Sequence, residues 1–349
     1  MGASGSITTL FGTRLPIVQA PMAGVQDAEL ALAVSAAGGL GSLPCALLSS
    51  AAMRSELERI RQAAPGAAFN VNFFCHTPPV PDEAREAAWR ASLLPYYQEL
   101  AIDPRKAAVA GGREPFSGAA VELLSEFKPA VVSFHFGLPP PELLAQVRSW
   151  GAKIISSATT LEEGLWLQAH GVDAVIAQGL EAGGHRGMFL STDVNTQLGA
   201  MALLPQLTRK LHVPVIAAGG IADARGVSAA MALGAAGVQV GTAYLLCPQA
   251  TTSALHRAAL RSSSSSHTAV TNLFTGRPAR GIMNRLMHEQ GPMSAVAPAF
   301  PLAGGAVTPL RAAAEALGRS DFSPLWSGQN ASGCREVDAT VLTRELAGA

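Results

Sequence analysis

Eight short apolar or β-branched runs recur over the first two thirds of the chain: Leu15–Pro21, Gly39–Pro44, Ala68–Phe74, Ala130–Phe136, Lys153–Ala158, Ala174–Gly179, Val213–Gly219 and Gly237–Thr242. Each is followed by a helix-like stretch. Strands alternating with helices predict an α/β protein with a parallel sheet. Eight such units close a TIM-type (β/α)8 barrel, whose chemistry sits at the C-terminal ends of the strands. The intervals are regular except for one of about 56 residues between Phe74 and Ala130. It holds a proline-rich turn (HTPPVPDE), a helix-like run from Asp82 to about Leu100 and a Gly-rich turn (AGGREPFSG). A second non-barrel segment follows Thr242, with a serine run at Ser262–Ser266 that reads as a flexible connector. It continues through TNLFTGRPARGIMNRL to a late Trp326-Ser-Gly-Gln329. The expected organisation is a barrel from residues 1–75 and 119–250, and a smaller cap domain from 76–118 and 251–320. Residues 321–349 are expected to return to the barrel.

Composition narrows the classes. The 349 residues exceed the ~250 of a bare barrel, and 48% hydrophobic with 14% charged residues fits a large α/β core. A formal net charge of zero, without blocks of like charge, argues against a nucleic-acid partner. No apolar run reaches the roughly 18 residues of a membrane span. The N-terminus lacks the charged and apolar regions of a secretory signal, so a cytoplasmic protein is expected. Cys45, Cys75, Cys247 and Cys334 show no C-x-x-C spacing, which disfavours structural zinc or a disulfide framework and leaves reduced, mostly buried thiols.

The polar residues gather where the strands end. The first strand ends in Gln19-Ala-Pro21-Met22-Ala23-Gly24, the third in Asn70-Val-Asn72, the fourth in Ser133-Phe-His135-Phe-Gly137 and the fifth in Ser156-Ser157. The sixth ends in Gln178-Gly179 and runs into Glu181-Ala-Gly183-Gly184-His185-Arg186-Gly187. Gly219-Gly220 and Gly241-Thr242 close the last two strands. Glycines there let backbone N–H groups approach an anion, and barrels frequently hold a phosphate in this place. Gly-Gly at a strand end is also an ordinary turn signal. Alternation points Asn72 and Gln178 at the mouth, where their donor and acceptor suit the edge of a flat heterocycle, or equally a loop backbone. Met22 offers a soft face to a ring or to the core. A phosphate at the last two strands, with amides and Met22 around the axis, fits FMN better than a dinucleotide. The cluster Gly38-Gly-Leu-Gly41 lacks the G-x-G-x-x-G form.

His185, in a Gly-rich loop, is the leading candidate for proton transfer. His135 is placed to bond a substrate oxygen or to pack between Phe134 and Phe136. Lys106, Lys128, Lys153 and Lys210 all lie away from strand C-termini, so a Schiff-base aldolase is not supported. Glu181 is the main acidic residue at the mouth, so metal ligands are lacking and no metal site is expected.

Taken together, QAPMAG, GGLGS, FNVNFF, SFHFG, AQGLEAGGHRG, VIAAGGI, VGTAYLLCP, TGRPARG and the late W-S-G-Q closely resemble class I nitronate monooxygenases, in order from about residue 15 to 330. The pair SFHFG and EAGGHRG is the specific part. The resemblance implies an FMN-containing TIM barrel with a second, smaller domain. It implies FMN contacts at Pro21, Met22, Ala23, Asn72, Gln178, Gly183, Gly219, Gly220, Gln239, Val240, Gly241 and Thr242, with Gln329 also approaching the flavin. It makes His185 the catalytic histidine and His135 a second active-site histidine, with Ser133 beside them on the substrate. The implied activity is oxidation of an alkyl nitronate, such as propionate 3-nitronate, by dioxygen to a carbonyl compound and nitrite, through one-electron transfer to the flavin. The serine run and the Asp82–Gly118 region depart from the family pattern. An NAD(P)H-dependent FMN reductase on the same barrel, acting on an enoyl-thioester or a quinone, shares the glycine ends and is the alternative reading. A flavin-binding protein without turnover would leave both histidines unexplained.

Overall fold

The computed structural model describes residues 6–106 and 113–348. The first residues of the N-terminal stretch and the opening Ala110-Gly-Gly of the Gly-rich turn lie outside them. The strands are β1 (Ile17–Gln19), β2 (Gly41–Pro44), β3 (Phe69–Phe74), β4 (Val131–His135), β5 (Lys153–Ala158), β6 (Ala174–Gln178), β7 (Gly184–His185), β8 (Val215–Ala218), β9 (Gly237–Val240), β10 (Thr268–Thr271) and β11 (Ala279–Ile282). Each of the eight apolar runs contains one barrel strand. They pair in parallel in the order β1-β9-β8-β6-β5-β4-β3-β2. Several strands are shorter than the runs, because Pro21, Gly219 and Thr242 lie past the last ladder pairs and belong to the mouth.

The barrel closes between β1 and β2 on a single bridge, Val18 to Leu40. Buried side-chain amides complete the seam, since unpaired backbone groups there would be costly. Ser42 N donates to Gln19 Oε1 at 3.0 Å, and Gln26 Nε2 donates to the Ser42 carbonyl at 2.5 Å. Period-two alternation separates two cores. Val18, Val131, Ile155, Ala174, Ile176, Ile216 and Ala218 cluster with Ile7 and Phe11. The helix Ile7–Phe11, N-capped by Ser6, supplies those two residues, so it packs against the barrel's inner core. Intervening residues such as Val132, Ile154, Val175 and Val238 pack with apolar residues of the surrounding helices.

A separate core joins the two non-barrel segments. The helix Glu83–Glu99 is N-capped by Asp82 and packs Trp89, Leu93, Tyr96 and Tyr97 against Leu273, Phe274, Leu286, Leu310 and Phe322. Trp89 Nε1 donates to the Ala303 carbonyl at 3.1 Å, and Tyr97 Oη to that of Ala306 at 2.6 Å. The serine run is a 3-10 turn, Ser263–Ser266, not the loose connector its composition suggested. Its hydroxyls bond back to their own chain, Ser265 to the Ser262 carbonyl at 2.9 Å and Ser266 to that of Ser263 at 2.7 Å. Near the C-terminus, the helix Ala339–Leu346 returns to the barrel side, with Thr343 Oγ1 2.9 Å from Tyr244 Oη. Among the described residues no helix is long and apolar enough to cross a membrane, and no cluster of side chains is arranged to hold a metal ion.

Candidate active site

Above the apolar inner layers, the same alternation continues with polar residues: Asn72 on β3, Ser133 and His135 on β4, Ser157 on β5 and Gln178 on β6. All of these line one cleft of about 1360 Å³, part of it open to solvent. Pro21, Met22, Ala23, Gly183, His185, Gly219, Gly220, Gln239, Gly241 and Thr242 line it too. Two expected contacts do not. Val240 is buried in the helix-side core, and the exposed Gln329 gives its backbone N–H to the Glu181 carbonyl at 2.9 Å while its neighbours Gly328 and Asn330 face the cleft.

His185 lies in β7, not in a loop. It pairs antiparallel with Ala279 of β11, and the three-stranded sheet β10-β11-β7 thereby ties the second segment to the end of β6. Its ring sits among Phe300, Trp326, Phe74 and Phe136, with centroids 5.5 to 5.9 Å away. Nε2 is 2.9 Å from Thr275 Oγ1, whose hydroxyl is in turn 3.4 Å from the Arg277 carbonyl. When Thr275 Oγ1 accepts from Nε2, the lone pair of the His185 ring lies on Nδ1. Burial first, then the charge of Arg113 with lesser contributions from His135, Arg277 and His76, pushes its pKa well below the ordinary histidine value. His185 is neutral at pH 7.

The neighbouring side chains position His185. His135 Nε2 is 3.0 Å from the His185 carbonyl, which only accepts, so that nitrogen is protonated and Nδ1 accepts from Ser157 Oγ at 3.1 Å. Both ring nitrogens are taken, and burial lowers the pKa to about 4. Gln178 is likewise committed, giving Nε2 to the His185 carbonyl at 2.9 Å and accepting from Gly187 N at 2.7 Å. Asn72 donates to Ser133 Oγ at 2.9 Å, and its Oδ1 accepts nothing within the described protein. Arg186 turns away from the cleft. Fully buried, it donates to the carbonyls of Gly179 (2.7 Å) and Gln178 (2.8 Å) and to Gln197 Oε1 (2.9 Å). Burial, then Arg280, pulls its pKa down to about 9, so it stays charged at neutral pH.

At the other end of the cleft the glycines form a cradle. Gly219 and Gly220 have φ of 109° and 73°, a left-handed conformation that other residues rarely adopt. A Cβ on Gly219 would also lie 3.1 Å from Ala182 N and the Gly179 carbonyl. Thr242 Oγ1 accepts from Gly328 N at 2.9 Å, and Asn330 Nδ2 donates to the Gly220 carbonyl at 2.9 Å. The terminal segment thus fastens both strand ends. Bare backbone at this place, with no lining carboxylate among the described residues, suits a phosphate.

Sequence reasoning missed Arg113, Trp326, His256 and Phe74 in the lining. Phe74 is legible as the next inward position after Asn72; the others come from segments whose path no periodicity reveals.

A (β/α)8 barrel whose mouth brings a glycine cradle, a buried histidine and the guanidinium group of Arg113 into one cleft has the layout of an enzyme site. A sequence profile of the nitronate monooxygenase family matches residues 5–347, and the chain belongs to that family of flavin-dependent oxidoreductases. It is 41% identical to a nitronate monooxygenase of Pseudomonas aeruginosa, over 97% of each chain. Among solved structures it resembles a nitroalkane oxidase from Streptomyces ansochromogenes, with 37% identity, a TM-score of 0.89 and coverage of 99% of this chain and 97% of that one. FabK from Thermotoga maritima is more distant, with 25% identity and a TM-score of 0.71 over 97% of this chain and 94% of its own.

Proposed function

We propose that the chain binds FMN at the barrel mouth and oxidises alkyl nitronates with dioxygen to a carbonyl compound and nitrite. The observation that carries this reading is the division of one cleft into a glycine cradle at one end and His185 with cationic neighbours at the other. The names of the relatives point the same way. Gly219, Gly220, Gly241 and Thr242 would hold the phosphate, Pro21 to Ala23 the ring face, and Asn72 Oδ1 a donor on the ring edge. Bound FMN supplies the electron acceptor.

The remaining chemistry belongs to side chains. A nitronate is already a carbanion equivalent, so His185 orients it without removing a proton. For a neutral nitroalkane, Nδ1 is the available base for the α-proton. His135, Gln178 and Arg186 keep His185 in place, and Phe74, Phe136 and Phe300 exclude water from its ring.

Two measurements test the reading. Heat-denatured protein should release a flavin of the mass of FMN; FAD, or no flavin after reconstitution, overturns the cofactor. Under anaerobic conditions propionate 3-nitronate should bleach the flavin, whereas NADPH should not. Rapid bleaching by NADPH alone would favour the reductase.

A further inference from the structure

Arg113 is the one guanidinium among the residues lining the cleft, and no carboxylate lines it among the described residues. Its Cζ lies 5.4 Å from the centroid of Phe300, whose ring is 5.5 Å from that of His185. Arg277 sits 3.9 Å over Phe136 and donates to the Met188 carbonyl, and its buried Nε has no partner. The carboxylate that acts on Arg277 is Glu163. Its oxygens are already engaged by Thr159 N and Oγ1 at 2.7 Å, and by Phe189 N and Leu190 N at 2.6 and 3.2 Å. A desolvated guanidinium without an anion is unfavourable unless a ligand supplies one.

We propose that Arg113 receives the negative charge of the substrate, binding the nitro-group oxygens of the nitronate beside His185 and making the site selective for the ionised form over the neutral nitroalkane. The planar fork of arginine matches two oxygens of one group. The proposal rests on the nitronate reading above and adds to it the residue that reads the charge. After burial, this same cation is the next largest influence keeping His185 neutral, which suits a substrate that has already lost its proton.

The test is Arg113→Met, with Arg113→Lys as the conservative partner. FMN content and thermal midpoint should match the wild type. KM for propyl-2-nitronate should rise about ten- to a hundredfold with kcat nearly unchanged, the scale of a lost charged hydrogen bond. Inhibition by nitrate should weaken in parallel, and lysine should restore part of both. Binding or turnover of neutral 2-nitropropane should move less than about threefold. The acid limb of the pH profile should shift upward, because His185 would then face only Arg277, His135 and His76. An unchanged KM and nitrate constant, or equal losses on charged and neutral ligands, overturns the proposal. If the methionine variant does not fold, the lysine variant decides through the nitrate constant. Nitrate binding followed by calorimetry needs no turnover, so it reports on Arg113 even if nitronate oxidation is absent.

Discussion

His185 on β7 and His135 at the end of β4 line the same cleft yet differ in what their nitrogens are free to do. His185 has Nδ1 open, whereas His135 has both nitrogens engaged, one of them on the His185 carbonyl itself. Replacing His185 with asparagine keeps a donor but removes the titrating group, so the flavin spectrum and thermal midpoint should barely change. Oxidation of neutral nitroalkanes should fall by ~10²-fold or more, the usual scale of a lost general base, and oxidation of a preformed nitronate by less. Equal losses on both would make His185 an orienting group only. His135→Phe should instead lower turnover of both substrates together and loosen FMN, because it frees the β7 backbone. If it lowered only the neutral substrate's rate, His135 would be a base. Because both histidine pKa values are lowered, these groups are neutral from pH 6 upward, and wild-type activity should be flat from pH 6 to 8 on the histidines' account.

At the scale of elements, the piece that brings the site together is the short sheet of β7, β10 and β11, with Arg186 as its internal clamp. Arg186 holds three acceptors on two different segments, and Arg186 N also donates to the Pro278 carbonyl at 2.9 Å. Arg186→Met should cost roughly 3–5 kcal/mol, since it leaves buried acceptors unpaired. The measurements are urea unfolding and FMN affinity, and an affinity unchanged despite lost stability would detach the clamp from the site. Lysine cannot span all three acceptors and should rescue little. The barrel strands were legible in the chain because a strand buried on both sides must be an apolar run. So were Asn72, Ser133, His135 and Gln178, which sit at strand ends at inward positions. β7 is two residues long and carries glycine, so no periodicity marks it. Its partner β11 begins 94 residues later in the chain. The commitment of Gln178 and His135 to that backbone was hidden for the same reason: their partners are set by tertiary packing. Arg113 sits outside any strand, and its exposed-type chemistry gave no sign that it would face the cleft.

For the molecule as a whole, the consequence of building the cleft from both the barrel and the second core is a set of histidines held away from water. His76, His135, His185 and His256 all have lowered pKa values with burial as the leading cause, and those of His135 and His256 are brought to about 4. Their surroundings are cationic: Arg277 acts on the first three, Arg113 on His76 and His185, and Arg311 on His256. The sign follows from linkage. In the unfolded chain each histidine binds a proton as pH falls through about 6.5, while the native state refuses it until its own, lower value. Stability is therefore full above pH 6.5, declines between about 6.5 and 4, and levels off below. At pH 5 each such group with a native value near 4 removes on the order of 2 kcal/mol. The paired carboxylates do not compete in this window: Glu99, held by Arg285 and then Arg319, is lowered to about 2 and loses its charge only in stronger acid. The thermal midpoint should accordingly drop by several degrees from pH 7.5 to pH 5, and His256→Phe should shrink that drop because one proton fewer is taken up on unfolding. Equal midpoints at the two pH values, or a higher one at pH 5, would show that the histidines titrate freely in the native protein and that the cleft is wetter than its packing indicates.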